Sequence, residues 1–187
     1  MISAIDNLHK LMPPPAKPTD ATGSWEQVER ELDTRLPDDY KQFVQSYGSG
    51  NIGDMPLTIH NPFAPEPGLN LLQAAKGIVA AYKSLVDDGY KMRYRLFPES
   101  GGLLPWGTTG NGDYLHWRTK GLPEQWSVVI WDCGLTKFRS FENMNCVQFL
   151  TELISGRLKV FPSAFFETTP KFVQYIPPSD EQKKRRK

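Results

Sequence analysis

Apolar side chains recur at helical spacing in several stretches of the chain. The clearest one follows the i, i+3, i+4, i+7 rule without a gap, with Tyr40, Phe43, Val44 and Tyr47 on one side and Gly48 placed to end the helix. Amphipathic helices are predicted over residues 24–32, 38–47 and 70–88, and a last one starts at Asn143 or Asn145 and ends at Gly156. Residues 1–23 are predicted to form a short helix or a flexible arm followed by a proline-rich linker.

Alternation of large apolar and polar residues predicts strands between the third helix and the last one. Two such runs flank Gly110-Asn111-Gly112 within residues 103–117, and Asn-Gly between apolar runs is a strong β-hairpin signal. Both central residues of a tight hairpin turn need a positive φ, which Asn and Gly tolerate. The predicted faces are Leu104, Trp106 and Thr108 in the first strand, and Leu115 with Trp117 opposite Tyr114, His116 and Arg118 in the second.

Two further strands follow the hairpin. Residues 126–131 (WSVVIW) are apolar on both faces, which is typical of a central strand, and residues 137–141 come next. A further alternating segment at Met55, Leu57 and Ile59 predicts a strand before the third helix. The order of elements is therefore helices, strands, helix, strands and a last helix. This order predicts an α+β fold with a mainly antiparallel sheet and amphipathic helices before and after it.

Basic residues alternate with apolar or aromatic residues in the segment that follows the third helix. Lys91, Arg93 and Arg95 alternate with Met92, Tyr94 and Leu96. The favoured interpretation is an exposed strand edge that charged side chains protect from pairing. The alternative is an extended basic ribbon for polyanions.

Two glycine-rich segments imitate nucleotide-binding motifs. Residues 48–53 match G-x-G-x-x-G, but a helix precedes them and an alternating segment follows, which reverses the strand-to-helix order that holds a pyrophosphate. Residues 107–112 offer backbone amides but lack the lysine and the following helix of a phosphate loop, and Asp113 would repel an anion. Both segments are interpreted as turns.

Composition and charge fit one folded domain with a basic end. The chain has 187 residues, of which 39% are hydrophobic and 12% aromatic. The last five residues are all basic, whereas residues 1–182 hold 17 basic and 21 acidic side chains, a net charge of −4 that argues against a broad nucleic-acid-binding face. The predicted organisation is a flexible arm (1–23), a single domain (24–176) and a disordered basic tail (177–187), with a nuclear-import signal or a polyanion contact as alternatives for the tail.

Three stretches, taken in order, point to one family. They are Leu36-Pro37-x-Asp39-Tyr40-x-x-Phe43 with Tyr47-Gly48-Ser49-Gly50, then Leu104-Pro105-Trp106-Gly107 running into Gly110-Asn111-Gly112-Asp113, then residues 126–131 followed by Phe138, Phe141 and the Phe149-Leu150 helix. In this order and spacing the chain resembles the SUKH superfamily, which includes the Smi/Knr-type regulators of fungal cell-wall synthesis. The resemblance covers residues 25–156.

The resemblance implies an α+β fold with no enzymatic activity and no cofactor. Most bacterial members look like immunity proteins, which bind and neutralise toxins that are often nucleases, and fungal members act as signalling scaffolds. The leading hypothesis is therefore an immunity protein that binds a cognate protein toxin and occludes its active site. The alternative is a regulatory scaffold of the cell-wall-synthesis-regulator type. No specific nucleic acid, membrane or small-molecule substrate is expected as a partner.

The residues themselves offer little for catalysis or metal binding. His9, His60 and His116 stand in no HExxH motif and at no zinc spacing from a cysteine. His116 would serve as a general base only with Asp113 or another carboxylate beside it, and a partly exposed strand histidine is the favoured interpretation. A small-molecule enzyme built on His116 and Asp113 is the third hypothesis.

Five residues are candidates for contact with a partner: Asp87, Asp88, Asp113, Tyr114 and His116. Asp87 and Asp88 stand at a predicted helix C-terminus, where negative charge is mildly unfavourable, so a basic toxin surface would explain them. A solvated helix end is the simpler alternative. The other three residues are expected to face solvent on the hairpin.

The chain is expected to be cytoplasmic. Cys133 and Cys146 fit two reduced thiols better than a disulfide framework. Residues 1–12 lack the charged start and apolar core of a signal peptide. The longest strongly apolar run, near residues 78–82, is too short to span a bilayer.

Overall fold

The computed structural model describes residues 3–53, 56–134, 136–161 and 170–177. These residues form five α-helices: α1 (Ala4–Leu11), α2 (Trp25–Leu32), α3 (Asp38–Tyr47), α4 (Leu71–Asp87) and α5 (Cys146–Ile154). They also form seven strands: β1 (Gly50–Ile52), β2 (Leu57–Ile59), β3 (Leu103–Thr109), β4 (Tyr114–Arg118), β5 (Ser127–Trp131), β6 (Phe138–Phe141) and β7 (Phe172–Gln174). Most of the predicted basic tail, residues 178–187, lies outside the described residues.

The strands form one sheet in the order β6-β5-β4-β3-β2-β1-β7. Every neighbouring pair is antiparallel. Strand β5 is buried along its whole length between β4 and β6, as its two apolar faces predicted. The predicted α+β fold with a mainly antiparallel sheet is confirmed.

One face of the sheet carries the main hydrophobic core. Trp106 and Trp117 stack on each other there, with ring centroids 5.6 Å apart. Trp117 meets Tyr40 of α3 at 4.9 Å, and Trp106 meets Phe149 of α5 at 6.2 Å. Asn145 caps α5 through the Gln148 backbone N–H. The apolar faces of α3 and α5 and the tryptophans of the hairpin therefore bury one another.

The N-terminal segment joins this core. Residues 4–11 form α1, which packs against α5, and both Leu8 and Met12 are fully buried. The Tyr47 hydroxyl donates a hydrogen bond to the Met12 carbonyl. Of the two forms that the sequence left open for this segment, a short helix is the one that the structure has at residues 4–11.

Helix α4 covers the opposite face of the sheet. Its Tyr82 ring lies 4.6 Å from the Trp131 ring of β5, and α4 also packs along β3. Asn70 caps this helix by accepting hydrogen bonds from the Leu72 and Gln73 backbone N–H groups. The sheet is thus covered by helices on both sides.

The predicted hairpin is present as β3 and β4, but its turn is longer than a two-residue turn. The Thr109 N–H donates to the Asp113 carbonyl and the Gly112 N–H donates to the Thr109 carbonyl, each at 2.9 Å, which encloses a three-residue loop. Within this loop only Gly112 has a positive φ, of 88°. The prediction that Asn111 also adopts a positive φ is wrong, because a three-residue loop places its left-handed residue at the last position.

A β-bulge at Trp106 changes which side the end of β3 faces. The register shifts between Pro105 and Gly107, so Gly107 comes opposite Leu115. Thr108 therefore turns away from the α5 side. The prediction that Thr108 shares a face with Trp106 is wrong, because strict alternation fails where one strand carries an extra residue.

The basic segment after α4 is not a strand. Between residues 90 and 96 only Leu96 forms a bridge, an isolated one with Leu103. Lys91, Arg93 and Arg95 are nevertheless exposed, as the alternation indicated. The predicted strand edge is wrong, because one side of this segment packs on side chains of the sheet, such as Tyr94 on Phe138 at 5.3 Å, instead of pairing with a strand.

Candidate functional site

His116 lies on β4 beneath α4 and is fully buried. Its Nε2 is 2.8 Å from the Tyr82 hydroxyl oxygen, and its Nδ1 is 3.3 Å from the Val129 carbonyl oxygen. A carbonyl oxygen only accepts hydrogen bonds, so Nδ1 carries the proton and Nε2 accepts from Tyr82. Burial lowers the pKa of His116 to about 3, so the ring is neutral. The prediction of a partly exposed histidine is wrong, because α4 covers this face of β4.

Asp113 ties the hairpin turn to the turn that follows β5. One carboxylate oxygen accepts from the Thr109 hydroxyl at 2.8 Å, and the other accepts from the Cys133 backbone N–H at 3.0 Å. The residue is buried, so the expectation that it faces solvent is wrong. Both oxygens of Asp113 thus make contacts within the fold, and both nitrogens of His116 are bonded elsewhere. The two residues do not form the hydrogen-bonded pair that the enzyme hypothesis requires.

The remaining predicted contact residues lie closer to solvent. Tyr114 is half-buried, with its ring 6.1 Å from Tyr82 and 6.3 Å from His116. Asp87 and Asp88 are exposed where α4 ends, roughly one and a half helical turns beyond Tyr82. The structure therefore brings Tyr114 and His116 together around Tyr82 and leaves the two aspartates on the surface.

His60 is a second buried histidine, which sequence reasoning did not include among the site residues. It is 3% exposed, and neither ring nitrogen has a hydrogen-bond partner among the described residues. Burial lowers the pKa of His60 to about 4, and the charge of His60 also acts to lower the pKa of His116. Because His60 directly follows Ile59, the alternation along the strand indicated only which side of the sheet the His60 side chain faces. Nothing local to the sequence showed that this side would be covered.

A groove lined by basic side chains lies at the β6 end of the sheet. It has a volume of about 400 Å³ and is lined by Tyr90, Lys91, Arg93, Thr136, Lys137, Phe138 and Arg139. All four cations are exposed. We call it the basic groove. The alternating basic residues from Lys91 onward pointed to one side of this groove. The other side is formed by β6 and the turn before it, which are distant in sequence, so the groove as a whole could not be predicted.

A second, more apolar groove runs along α4. Its volume is about 570 Å³, and its lining includes Leu72, Val79, Phe97 and Pro98, with Lys76 and Lys83 beside them. Both lysines are exposed. They provide a basic surface outside the basic groove.

The described residues contain no group of three or more His, Cys, Asp or Glu side chains arranged to hold a metal ion. In the same part of the chain no helix has the length and apolar character needed to cross a membrane.

The comparison with protein families matches the chain over residues 22–144 to the family described as SMI1-KNR4 cell-wall, of the SUKH type. This match spans α2 to β6 and covers more than half of the 187 residues. The chain belongs to the SUKH superfamily. No curated protein and no solved structure matches it.

The SUKH match contains the hairpin, α4 and every residue of the basic groove, whereas α1, α5 and β7 lie outside it. SUKH proteins are generally non-enzymatic immunity or regulatory proteins. Within this SUKH chain, the side chains that sequence reasoning considered for catalysis hold the hairpin and α4 in place.

Proposed function

We propose that this protein is a cytoplasmic, non-enzymatic immunity protein that binds a bacterial toxin and neutralises it by occluding the active site. Membership of the SUKH superfamily over residues 22–144 carries the proposal. The geometry is consistent with it, because His116 and Asp113 are engaged in separate contacts with the fold. Binding rather than chemistry then has to supply the activity.

A neutralising protein needs a stable surface that keeps its shape when it binds. The sheet is covered on both faces, and its three central tryptophans, Trp106, Trp117 and Trp131, are at most 1% exposed. Such close-packed interiors resist deformation. The surface loops around the sheet ends are therefore presented on a rigid frame.

Asp87 and Asp88 remain the proposed acidic contacts for a basic toxin surface. Both are exposed, and residues 1–182 carry a net charge of −4. Complementary charge of this kind raises the association rate more than the final affinity. Tyr114, which is half-buried, would contact the partner only at its exposed part. The buried side chains of Asp113 and His116 would support this surface from below.

The second candidate function is a regulatory scaffold. The description of the matched family, SMI1-KNR4 cell-wall, favours it. In this case the basic residues 183–187 would serve as a localisation element. Deleting residues 183–187 and imaging the protein separates the two functions, because an immunity protein should be indifferent to the loss.

The main test is co-expression with the toxin that is encoded beside the gene. We expect this protein to restore growth and to co-elute with an inactivated form of the toxin at one-to-one stoichiometry. Trp106→Ala is a useful control, because it removes a fully buried ring and should abolish rescue by unfolding the domain. Absence of both rescue and complex with the folded wild-type protein would refute the toxin-binding function.

A further inference from the structure

The basic groove gathers positive charge from two separate parts of the chain. Lys91 and Arg93 come from the segment after α4, whereas Lys137 and Arg139 come from the turn before β6 and from β6 itself. The fold therefore concentrates cations at this edge, although residues 1–182 are acidic overall. We propose that the basic groove binds an extended acidic segment of a protein partner. The inference rests on the proposed function only in taking this chain to be a binding protein.

The cations of the groove are not neutralised by ion pairs. Among the described residues, no carboxylate forms an ion pair with any of them. Glu142, three residues after Arg139, accepts a hydrogen bond from the Ser140 hydroxyl and pairs with Arg118. Asp132, five residues before Lys137, has a carboxylate that accepts hydrogen bonds from the backbone N–H groups of Thr136 and Lys137. This carboxylate is therefore engaged in shaping the turn, and it leaves most of the positive charge available to a ligand.

Two of the cations are held in place before any partner arrives. Arg93 lies over the Tyr94 ring at 5.5 Å, and Arg139 donates a hydrogen bond to the Val160 carbonyl. Side chains that are already ordered lose less conformational entropy on binding. The groove is thus partly preorganised for an anionic ligand.

The edge of β6 supplies a reason to expect an extended polypeptide. Strand β6 is the last strand of the sheet at this end, and within the described residues no strand pairs with its outer edge. The Asp132 N–H bonds to the Lys137 carbonyl, and hydrogen-bonded pairs alternate along an antiparallel ladder. The backbone groups of Phe138 and Ser140 therefore point outward, where an added strand would pair with them.

Charge decides which strand is admitted at this edge. Lysine and arginine beside an open edge disfavour edge-to-edge aggregation and repel other basic strands, which is a common protection of edge strands. The same charges attract a segment rich in Asp and Glu. The edge is thus closed to a second copy of its own basic strand and open to an acidic one.

A nucleic acid is the less favoured occupant. Single-stranded nucleic acids stack their bases on aromatic side chains that are free on the surface. The Phe138 ring is instead stacked on Trp131 at 4.8 Å and lies against Tyr94 at 5.3 Å. The groove also has a volume of only about 400 Å³, on a body whose net charge is −4.

The test measures binding of a fluorescein-labelled peptide of alternating Glu and Thr, about ten residues long, a length that suits strand pairing. Fluorescence anisotropy with the full chain should show saturable binding that weakens as salt is added, because exposed charges are screened. K91E/K137E should weaken binding about tenfold or more, since two attractive contacts become repulsive. Neither lysine side chain forms a hydrogen bond or an ion pair among the described residues, and the bonds between Lys137 and Asp132 use the Lys137 backbone, so the fold should be unaffected.

K76E/K83E is the matched control, because it changes the net charge equally on the α4 groove and should leave binding within about twofold. Ser140→Pro removes an outward N–H without removing a hydrogen bond between β5 and β6, so it should also weaken peptide binding. Ser140→Ala keeps this N–H and should leave peptide binding unchanged. A peptide of alternating Lys and Thr should not bind.

Three results would overturn the inference. They are absence of peptide binding, equal losses in K91E/K137E and K76E/K83E, and equal binding of a single-stranded oligonucleotide of the same charge. Failure of toxin rescue with intact, K91E/K137E-sensitive peptide binding would refute the toxin function and leave this surface standing. The reverse pattern would refute this surface alone.

Discussion

Lowering the pH from neutral to about 5 should destabilise the fold through the two buried histidines, His60 and His116. In the folded protein their pKa values are about 4 and about 3, because burial disfavours the charged ring. In the unfolded chain both side chains return to a pKa near 6.5. Between these limits the unfolded chain binds more protons than the folded protein, so stability falls as the pH falls.

The size of this effect follows from the gap between the two pKa values. Each pH unit below the unfolded pKa removes about 1.4 kcal/mol per histidine. At about pH 5 each histidine should therefore remove about 2 kcal/mol, and both together about 4 kcal/mol. That is a large part of the 5–15 kcal/mol that stabilises a typical domain. The full contribution is present above about pH 6.5 and is lost progressively towards the folded pKa values.

The carboxyl groups with shifted pKa values do not produce the same loss of stability between about pH 7 and about pH 5. The carboxylates whose pKa is lowered in the fold, such as Glu29 and Asp132, lose their contribution only below the pKa of an unfolded carboxyl group, near 4. Burial raises the pKa of Asp39, so protonation of Asp39 favours the folded state as the pH falls. Its contribution therefore has the opposite sign and reduces the expected loss.

The assay is urea unfolding at about pH 7, 6 and 5, followed by tryptophan fluorescence, since Trp106, Trp117 and Trp131 are buried. The quantity compared is the change in unfolding free energy between pH values, in which the fixed cost of a substitution cancels. His116→Gln and His60→Phe should each remove about half of the pH dependence, and the double variant nearly all of it. The reasoning would be refuted by a wild-type loss below about 1 kcal/mol, or by a loss that persists in the double variant.

Three further predictions concern stability, each measured by urea or thermal unfolding. Leu8→Ala should cost about 2–5 kcal/mol, because Leu8 is fully buried where α1 packs against α5; a cost near zero would show that α1 does not dock in solution. Asp113→Ala should cost about 2–4 kcal/mol by leaving the Cys133 N–H and the Thr109 hydroxyl without their acceptor, and Asp113→Asn should cost less. Gly48→Ala should destabilise by at least about 1–3 kcal/mol, because the new Cβ would lie 1.9 Å from the Thr19 carbonyl oxygen at a φ of +69°. Gly77→Ala on α4 meets nothing within 4 Å and should instead stabilise by about 0.5–1 kcal/mol, so equal signs for the two glycines would contradict this argument.

Local signals in the sequence predicted the helices well. The uninterrupted stripe from Tyr40 to Tyr47 corresponds to α3, and the capping residues Ser24, Asn70 and Asn145 begin α2, α4 and α5. These signals act within one or two helical turns, so they can be read without knowing the tertiary structure. The hairpin was predicted for the same reason.

The failures concern features that depend on distant residues. His116 was expected to be partly exposed, because the sequence does not show that Tyr82, 34 residues earlier, lies over it. The expectation that Asp113 faces solvent fails for the same reason, because its partner Cys133 lies 20 residues further along the chain. The bulge at Trp106 depends on the register with β4. The basic groove depends on Lys91 and Lys137 lining the same surface, and only the folded sheet brings these two distant segments together.

The pairing of β1 with β7 has a consequence for how the protein is made. Residues 50–52 pair with residues 172–174, and α1 at the start of the chain packs against α5 near its end. During synthesis, the apolar side chains of Leu8 and Met12 therefore wait without their partners until α5 has left the ribosome. Long-range contacts of this kind form late and slowly, and they leave apolar surface accessible meanwhile. Final assembly of the domain thus requires that α5 and β7 have been synthesised, and a nascent chain that stalls before residue 146 presents an open core to chaperones.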